Sequence, residues 1–356
     1  MRIGTRTITA ERVYIIAEIG VNHDGDPDRA LRLIDLAAHA GADGVKFQFF
    51  ETDRLMSSAA KLALYQKSAG ETDPFAMLRR LELPPDALAR CARHARNRNL
   101  HAIVTVFSTE LVPEAHRMGW DAFKSASPDI IHRPLLEAMA STGLPLIVST
   151  GASEPEEVAR ARVWLDAHAD RLAFLQCVSA YPCPMEHAAL DGIPAVRALT
   201  GLPVGYSDHT PSVETGALAV RAGACILEKH FTDDRTRPGP DHAASLEPVD
   251  MAEYIRLARS ATPDPVPPAP NKSVLACERD VRAVSRQSIV WTHPLDAGEV
   301  VQPEHLTCKR PGSGIPPWRM HEIIGARLKR SIRADHPVMP DEIEAFAHAP
   351  KAGARP

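Results

Sequence analysis

Apolar and β-branched residues gather into eight short runs, at residues 13–20, 44–50, 101–107, 122–127, 145–150, 172–178, 203–209 and 225–231. Their length and composition predict strands. Helical segments with start and stop signals separate them. Asp26-Pro27 opens one that stops at Gly41 and turns Leu31, Ile34, Ala37 and Ala38 inward. Ser153-x-x-Glu156, with Pro155, predicts a capping box at the head of another. Thr210-Pro211 opens a third that ends near Gly223. Eight alternating β and α units predict an α/β fold, a (β/α)8 TIM barrel. An open doubly wound sheet is the competing arrangement, because strand count alone does not close a barrel.

Polar residues at the run ends favour the barrel. Glu18 lies near the end of the first run, Lys46 and Gln48 in the second, Thr105 and Ser108 at the third, Lys124 and Ser127 at the fourth. Ser149 closes the fifth, Ser179 follows the sixth, Ser207 and His209 end the seventh, and His230 ends the eighth. Reactive groups at nearly every strand end describe a barrel active site. A structural barrel does not need two lysines there, since a buried lysine is costly unless paired.

The connection over 51–100 is long; it predicts extra helix around 62–67 and a cover for the site mouth. Thr262-Pro-Asp-Pro-Val-Pro-Pro-Ala-Pro270 has five prolines in nine residues, which predicts a stiff polyproline spacer. At about 3.1 Å per residue it spans nearly 30 Å, enough to carry the next domain onto a partner's barrel. Residues 282–346 predict a small β-rich module, with short strands at 288–291, 300–301 and 306–308. The chain thus divides into a barrel over 1–261, a linker over 262–281, the module, and a frayed tail over 347–356.

A net charge of −4 gives no nucleic-acid footprint, and the Arg- and His-dense run from Arg90 to Arg98 reads as a solvated helix face. Six cysteines form no C-x-x-C pair, and Cys177 and Cys225 lie in apolar runs as small buried hydrophobes. No signal peptide opens the sequence and no run reaches the length of a membrane span. A cytoplasmic protein away from membranes is the expectation.

His209 and His230 end neighbouring runs one strand–helix unit apart. Adjacent strand axes lie about 5 Å apart, so the imidazoles converge on one point. Two histidines leave several coordination positions open, which fits manganese or magnesium better than a closed zinc site. Lys46 and Lys124, ringed by Thr105, Ser127, Ser149 and Ser207, suit a dianion such as phosphate. Either lysine can instead form a Schiff base, although the metal pair argues against it. Glu18 serves as a general base or simply neutralises Lys46. Tyr181 follows the sixth run with its direction set by Pro182; Tyr206 reads as a packed residue.

Several longer motifs carry a resemblance. Ala17-Glu-Ile-Gly-Val-Asn-His-Asp-Gly-Asp26, Gly44-Val-Lys-Phe-Gln48 and Gln176-Cys-Val-Ser-Ala-Tyr-Pro182 resemble those of the sialic acid synthases, the NeuB-type nonulosonic acid synthases. So do Gly205-Tyr-Ser-Asp-His-Thr210 and Glu228-Lys-His-Phe-Thr232, continuing to Arg237-Pro-Gly-Pro-Asp241. Lys309-Arg-Pro-Gly-Ser-Gly-Ile-Pro-Pro317 is similar to the signature of that family's antifreeze-like SAF (β-clip) domain. The matches run in order from about residue 8 to 345.

The resemblance implies condensation of phosphoenolpyruvate with an open-chain N-acetylhexosamine, giving a nine-carbon 2-keto acid and phosphate. It implies a divalent ion on His209 and His230, manganese first, with magnesium or cobalt as alternatives. Lys46, Thr105, Lys124, Ser127, Ser149, Ser179 and Ser207 match phosphoenolpyruvate-binding positions; Gln48, Tyr181 and Asp241 match sugar-contacting ones. Glu18 matches the carboxylate that handles protons. Arg310 matches an arginine that the SAF domain places on the partner's sugar in a domain-swapped homodimer. Ser125-Ala-Ser-Pro-Asp129 departs from the family's usual Gly-Ser-Gly-Glu, so the shorter acid Asp129 is expected to change sugar contacts. The acceptor is therefore N-acetylmannosamine or a 2,4-diacetamido-trideoxy hexose. A synthase of 3-deoxy-ulosonate phosphates would need a second basic cluster and no such module. An inert carbohydrate- or ice-binding barrel would not need Glu18, both lysines and both histidines.

Overall fold

Eight parallel strands close into a barrel in the computed structural model, which describes residues 1–9, 11–264 and 271–346. They are β1 (Tyr14–Gly20), β2 (Gly44–Phe49), β3 (His101–Val106), β4 (Ala122–Ser125), β5 (Leu146–Ser149), β6 (Leu172–Cys177), β7 (Val204–Asp208) and β8 (Ile226–His230). Each lies within a run expected from the sequence. β8 pairs with β1 from Ile226↔Tyr14 to His230↔Glu18, and this closure removes the open sheet as an alternative.

Side chains alternate along each strand between two cores. Ile16, Ile103, Ala122, Ile147, Leu175 and Ile226 fill the barrel interior, joined by Ile3 and Ile8 from the N-terminal segment. Val45, Phe47, Val104, Phe123, Val148 and Phe174 point outward against the helices. Burying an apolar side chain of this size stabilises the fold by about 1.5–3 kcal/mol. Toward the C-terminal ends the inward positions turn polar. The register sets Glu18 beside Lys46, Gln48 beside Thr105, Thr105 beside Lys124, and Ser207 beside Glu228.

The helices depart from expectation in detail. In Pro27–Ala40 the buried face is Ala30, Leu33, Ile34 and Ala37, with Leu31 and Ala38 on its flanks; at 100° per residue the stripe centres one residue earlier. The capping box sits one residue later than expected, where Glu157 Oε2 accepts the Glu154 N–H at 2.9 Å. The helix expected from Thr210-Pro211 begins at Thr215, because the Thr210 hydroxyl is engaged with that of Thr215 at 2.7 Å in a turn. The long second connection holds helices Thr52–Leu55, Leu64–Ser68, Pro74–Leu81 and Pro85–Asn97. The arginines of the dense 90–98 run are exposed on the last of these. No helix among the described residues is long and apolar enough to cross a membrane.

In the C-terminal module β9 (Ser288–Trp291) pairs antiparallel with β10 (Leu306–Lys309) over a core containing Ile289, Trp291, Val301, Ile323 and Val338. The strand expected at 300–301 is a single bridge, Val300↔Arg327. Residues 265–270 of the proline-rich spacer and the tail from 347 lie outside the described residues. Residues 271–281, expected as the end of that spacer, are instead docked. Ala276–Glu278 and the helix Arg279–Ser285 lie against the barrel, with Arg282 and Arg286 paired to Glu157 at 2.9 and 2.6 Å. The module rests on this chain's own barrel, where the sequence predicts a reach to a partner's. Arg310 N–H donates to the Leu55 carbonyl at 2.8 Å, and Ser57 N–H to the Arg310 carbonyl at 3.0 Å.

Candidate active site

The polar strand ends enclose a cavity of about 950 Å³, mouth included. Lys46 pairs with Glu18 at 2.6 Å and donates to Thr105 Oγ1 at 3.0 Å. Lys124 lies 3.3 Å from Glu228, whose Oε1 also accepts the Ser207 hydroxyl at 2.8 Å. Each buried ammonium thus has its own carboxylate, which is the condition for keeping it charged inside. Ser149 Oγ and Ser179 Oγ line the same cavity, buried and without a hydrogen-bond partner among the described residues. Two idle hydroxyls and two ammoniums in one cavity can receive an oxygen-rich anion. Gly151 permits this crowding, since a Cβ there would collide with the hydroxyls of Ser179 and Ser127.

The two carboxylates are pushed in opposite directions. Burial raises Glu18, the charge of Glu228 raises it further, and Lys46 and Gln48 only partly offset this. Burial also pushes Glu228 up, but Lys124, Lys46, Ser207 and His209 together bring it below the ordinary glutamate value. A proton-exchanging acid beside a permanent anion is how one site separates these roles. Gln48 Nε2 donates to Glu18 Oε1 at 3.1 Å and orients it.

His209 and His230 converge as expected, with ring centroids 5.3 Å apart. His209 Nδ1 lies 2.7 Å from the Val178 carbonyl, so that nitrogen carries a proton and Nε2 is the one left to hold a metal ion. Burial pushes His209 down, but Cys177, the Val178 carbonyl and Glu228 carry it above the ordinary imidazole value. Burial, reinforced by His209, Lys46 and Lys229, holds His230 well below the ordinary imidazole value, hence neutral. Its Nδ1 is buried without a hydrogen-bond partner, 3.7 Å from Asp241 Oδ2. These features fit a divalent ion. Among the described residues no three His, Cys, Asp or Glu side chains cluster as a closed set, so oxygen ligands from substrate and water would complete the shell.

Outside each histidine, Asp208 and Lys229 pair at 3.0 Å, both fully buried, and tie β7 to β8 next to the two imidazoles.

Tyr181 packs at a tilt on His209, with centroids 4.1 Å apart, and Tyr65 packs on Tyr181 at 5.0 Å. Gln48, Asp241 and Arg310 line the same mouth, and the Arg310 guanidinium lies 5.5 Å from the Phe107 ring centroid. Part of the lining is an apolar cluster, with Val21, Phe50, Leu55, Met77, Leu81 and Phe107. Every sequence-predicted site residue lines this cavity except one. Asp129 is fully buried behind the wall, its Oδ1 accepting from Gln287 Nε2 at 3.1 Å and its Oδ2 unpartnered. One methylene shorter than glutamate, it meets the module rather than the cavity.

Glu228, Tyr65, Gln66, Val281 and Ser285 also line the cavity and were not among the predicted site residues. Glu228 was findable, since it stands two residues before His230 and shares its face of β8. The others arrive from the long connection and the post-linker helix, with no local signal.

The NeuB family model matches residues 33–263, and a SAF domain model matches residues 286–344. The chain is 35% identical to the N,N'-diacetyllegionaminic acid synthase of Legionella pneumophila, over 93% of this chain and 95% of that one. It is 31% identical to the N-acetylneuraminate-9-phosphate synthase of Mus musculus, over 95% of each. The crystal structure of the spore coat polysaccharide biosynthesis protein SpsE of Bacillus subtilis superposes with a TM-score of 0.83 at 31% identity, covering 96% of this chain and 98% of that one.

Proposed function

Because the chain belongs to the NeuB family and ends in a SAF domain, we propose that it is a nonulosonic acid synthase joining phosphoenolpyruvate to an open-chain N-acylated hexosamine. The observation that carries this reading is what the cavity brings together: two paired ammoniums and two idle hydroxyls with two imidazoles and Asp241. The phosphate and carboxylate of phosphoenolpyruvate take Lys46, Lys124 and the hydroxyls of Thr105, Ser127, Ser149, Ser179 and Ser207. His209 and His230 hold a divalent ion, manganese first, which when bound supplies Lewis acidity toward an aldehyde oxygen. Gln48, Tyr181, Asp241 and Arg310 hold the sugar.

In the reaction the enol carbon of phosphoenolpyruvate forms a bond to the aldehyde carbon. Water adds to the cationic carbon left behind and gives up a proton to Glu18, which passes it to the former aldehyde oxygen, now a hydroxyl. The bond from the tetrahedral carbon to the phosphate oxygen then breaks as that carbon's new hydroxyl gives its proton to the departing phosphate, leaving a 2-keto acid and inorganic phosphate. Lys46, 2.6 Å from Glu18, balances its charge through these steps. Glu228 stays anionic and keeps Lys124 charged where phosphate develops.

The apolar wall favours a 2,4-diacetamido-trideoxy hexose over N-acetylmannosamine. A terminal methyl and a second acyl group bury there, whereas a hydroxymethyl would lose water without a partner. We extend the proposal to a homodimer with exchanged modules. Swapping keeps an element's contacts and changes only which copy supplies it, so the docking within this chain supports either arrangement. All six cysteines are free thiols, which fits a reducing cytoplasm. Phosphate release from phosphoenolpyruvate, assayed over a panel of N-acylated hexoses with and without chelator, tests the reading. Release should need both a metal and a sugar, and should be fastest with the trideoxy acceptor; no release with any panel member overturns the proposal.

A further inference from the structure

The post-linker segment places a carboxylate beneath the anion-binding wall. Glu278 is 1% exposed, and its Oε1 accepts two backbone N–H groups, from Ala152 at 2.6 Å and from Ser179 at 2.8 Å. Its Oε2 accepts the Leu275 N–H at 2.9 Å, which turns the segment back on itself. Ala152 follows β5, three residues beyond Ser149, and Ser179 follows β6. One side chain therefore ties together the loops that follow β5 and β6, next to the idle hydroxyls of Ser149 at the strand end and Ser179 in the loop.

Two further observations show that this junction is held rather than relaxed. Ala152 is a non-glycine residue in the left-handed region, at φ 49°, a conformation that persists only when its surroundings impose it. Its carbonyl is gripped from the same segment, by Arg282 and by Arg286. Just before it, Gly151 N–H donates to Ser127 Oγ at 3.0 Å, so the loop's position also sets a third hydroxyl.

We infer that Glu278 is a positioning residue for the anion site: it fixes the β5 and β6 loops so that Ser127, Ser149 and Ser179 present their hydroxyls to a bound phosphate. Through this one carboxylate the C-terminal region serves the phosphate end of the cavity as well as the sugar end. The identity of that anion as phosphoenolpyruvate rests on the function proposed above.

Inorganic phosphate and phosphoenolpyruvate are titrated calorimetrically into the full-length wild type, Glu278→Gln, Glu278→Asp and Glu157→Gln, and both KM values are measured on the same proteins. Glu157→Gln is the anchoring comparison, since it weakens the Arg282 and Arg286 pairs of the same segment, and with them the hold on the Ala152 carbonyl, while the Ala152 and Ser179 N–H groups keep Glu278 as acceptor. Glu278→Gln is expected to weaken phosphate binding and raise the phosphoenolpyruvate KM by about tenfold, leaving the sugar KM within about twofold. Glu157→Gln should lower the unfolding temperature but keep phosphate affinity within about threefold. Wild-type phosphate affinity in Glu278→Gln, or an equal loss in Glu157→Gln, overturns the inference. If Glu278→Gln does not fold, Glu278→Asp carries the comparison, and wild-type affinity there overturns it as well. Phosphate titration reads the site without turnover, so a wild type that binds phosphate but releases none from phosphoenolpyruvate counts against the synthase reading alone.

Discussion

Replacing Asp129 by asparagine removes the one predicted site residue that the cavity does not reach. Burial pushes its carboxyl up to about 7, against the pull of Arg310, Gln287 and Lys124, from an ordinary value of 3.8. Between these values the folded protein keeps a proton that the unfolded chain has released. Wild-type stability therefore falls as pH rises through the window, by about 1.4 kcal/mol per unit, while asparagine does not titrate. From pH 5 to pH 7 the balance should move in favour of Asp129→Asn by about 2.3 kcal/mol, since the slope halves at the folded pKa itself. An unfolding entropy of about 2.1 cal/mol/K per residue over the folded chain converts this to about 3 °C. Paired thermal melts at pH 5, 6 and 7 and equal ionic strength measure it. The Tm of Asp129→Asn minus that of wild type should climb by about 3 °C across the series. At pH 5 the folded Asp129 carboxyl is itself neutral, so the starting difference reflects only the exchange of its hydroxyl for an amide beside Gln287. A pH-independent difference, or one that shrinks as pH rises, refutes the reasoning.

Two other outcomes follow from the site. Glu18→Gln should lower kcat by about 10²–10⁴-fold with little change in either KM. It should also abolish the acid limb of the wild-type pH–rate profile, where activity is lost as pH falls through the raised Glu18 value; an intact limb in the variant points to another base. Co-expressed Arg310→Ala and His209→Ala chains should regain activity that neither has alone if modules are exchanged, because one mixed site then has a complete barrel and an intact Arg310. Absence of recovery in verified mixed dimers means that each module serves its own barrel.

The barrel was readable because strands covered on both faces must be apolar almost throughout, and only their ends are free to carry chemistry. Lys46, Thr105, Lys124 and Ser207 stood out for that reason. Asp129 misled, because a carboxylate at a strand end looks the same whether it points into the cavity or toward Gln287, 158 residues away. Thr210-Pro211 misled because a hydroxyl that resembles a helix cap was spent on Thr215. Glu278 had no local mark, since its partners Ala152 and Ser179 lie 126 and 99 residues distant. Apolar spacing reports which face a residue occupies, whereas contacts between remote segments depend on how whole elements dock.

The long second connection has a consequence for how such a protein diversifies. Groups that bind phosphate and move protons stand on barrel strands, where a change disturbs the shared core. The apolar wall is built largely from Leu55, Met77 and Leu81, on a stretch inserted between β2 and β3. Substitutions there can reshape the acceptor pocket while the strand register and its charge pairs stay as they are. On the function proposed above, the part of acceptor preference set by this wall would sit apart from the reaction chemistry, and a lineage could reshape it without relearning how to make the bond.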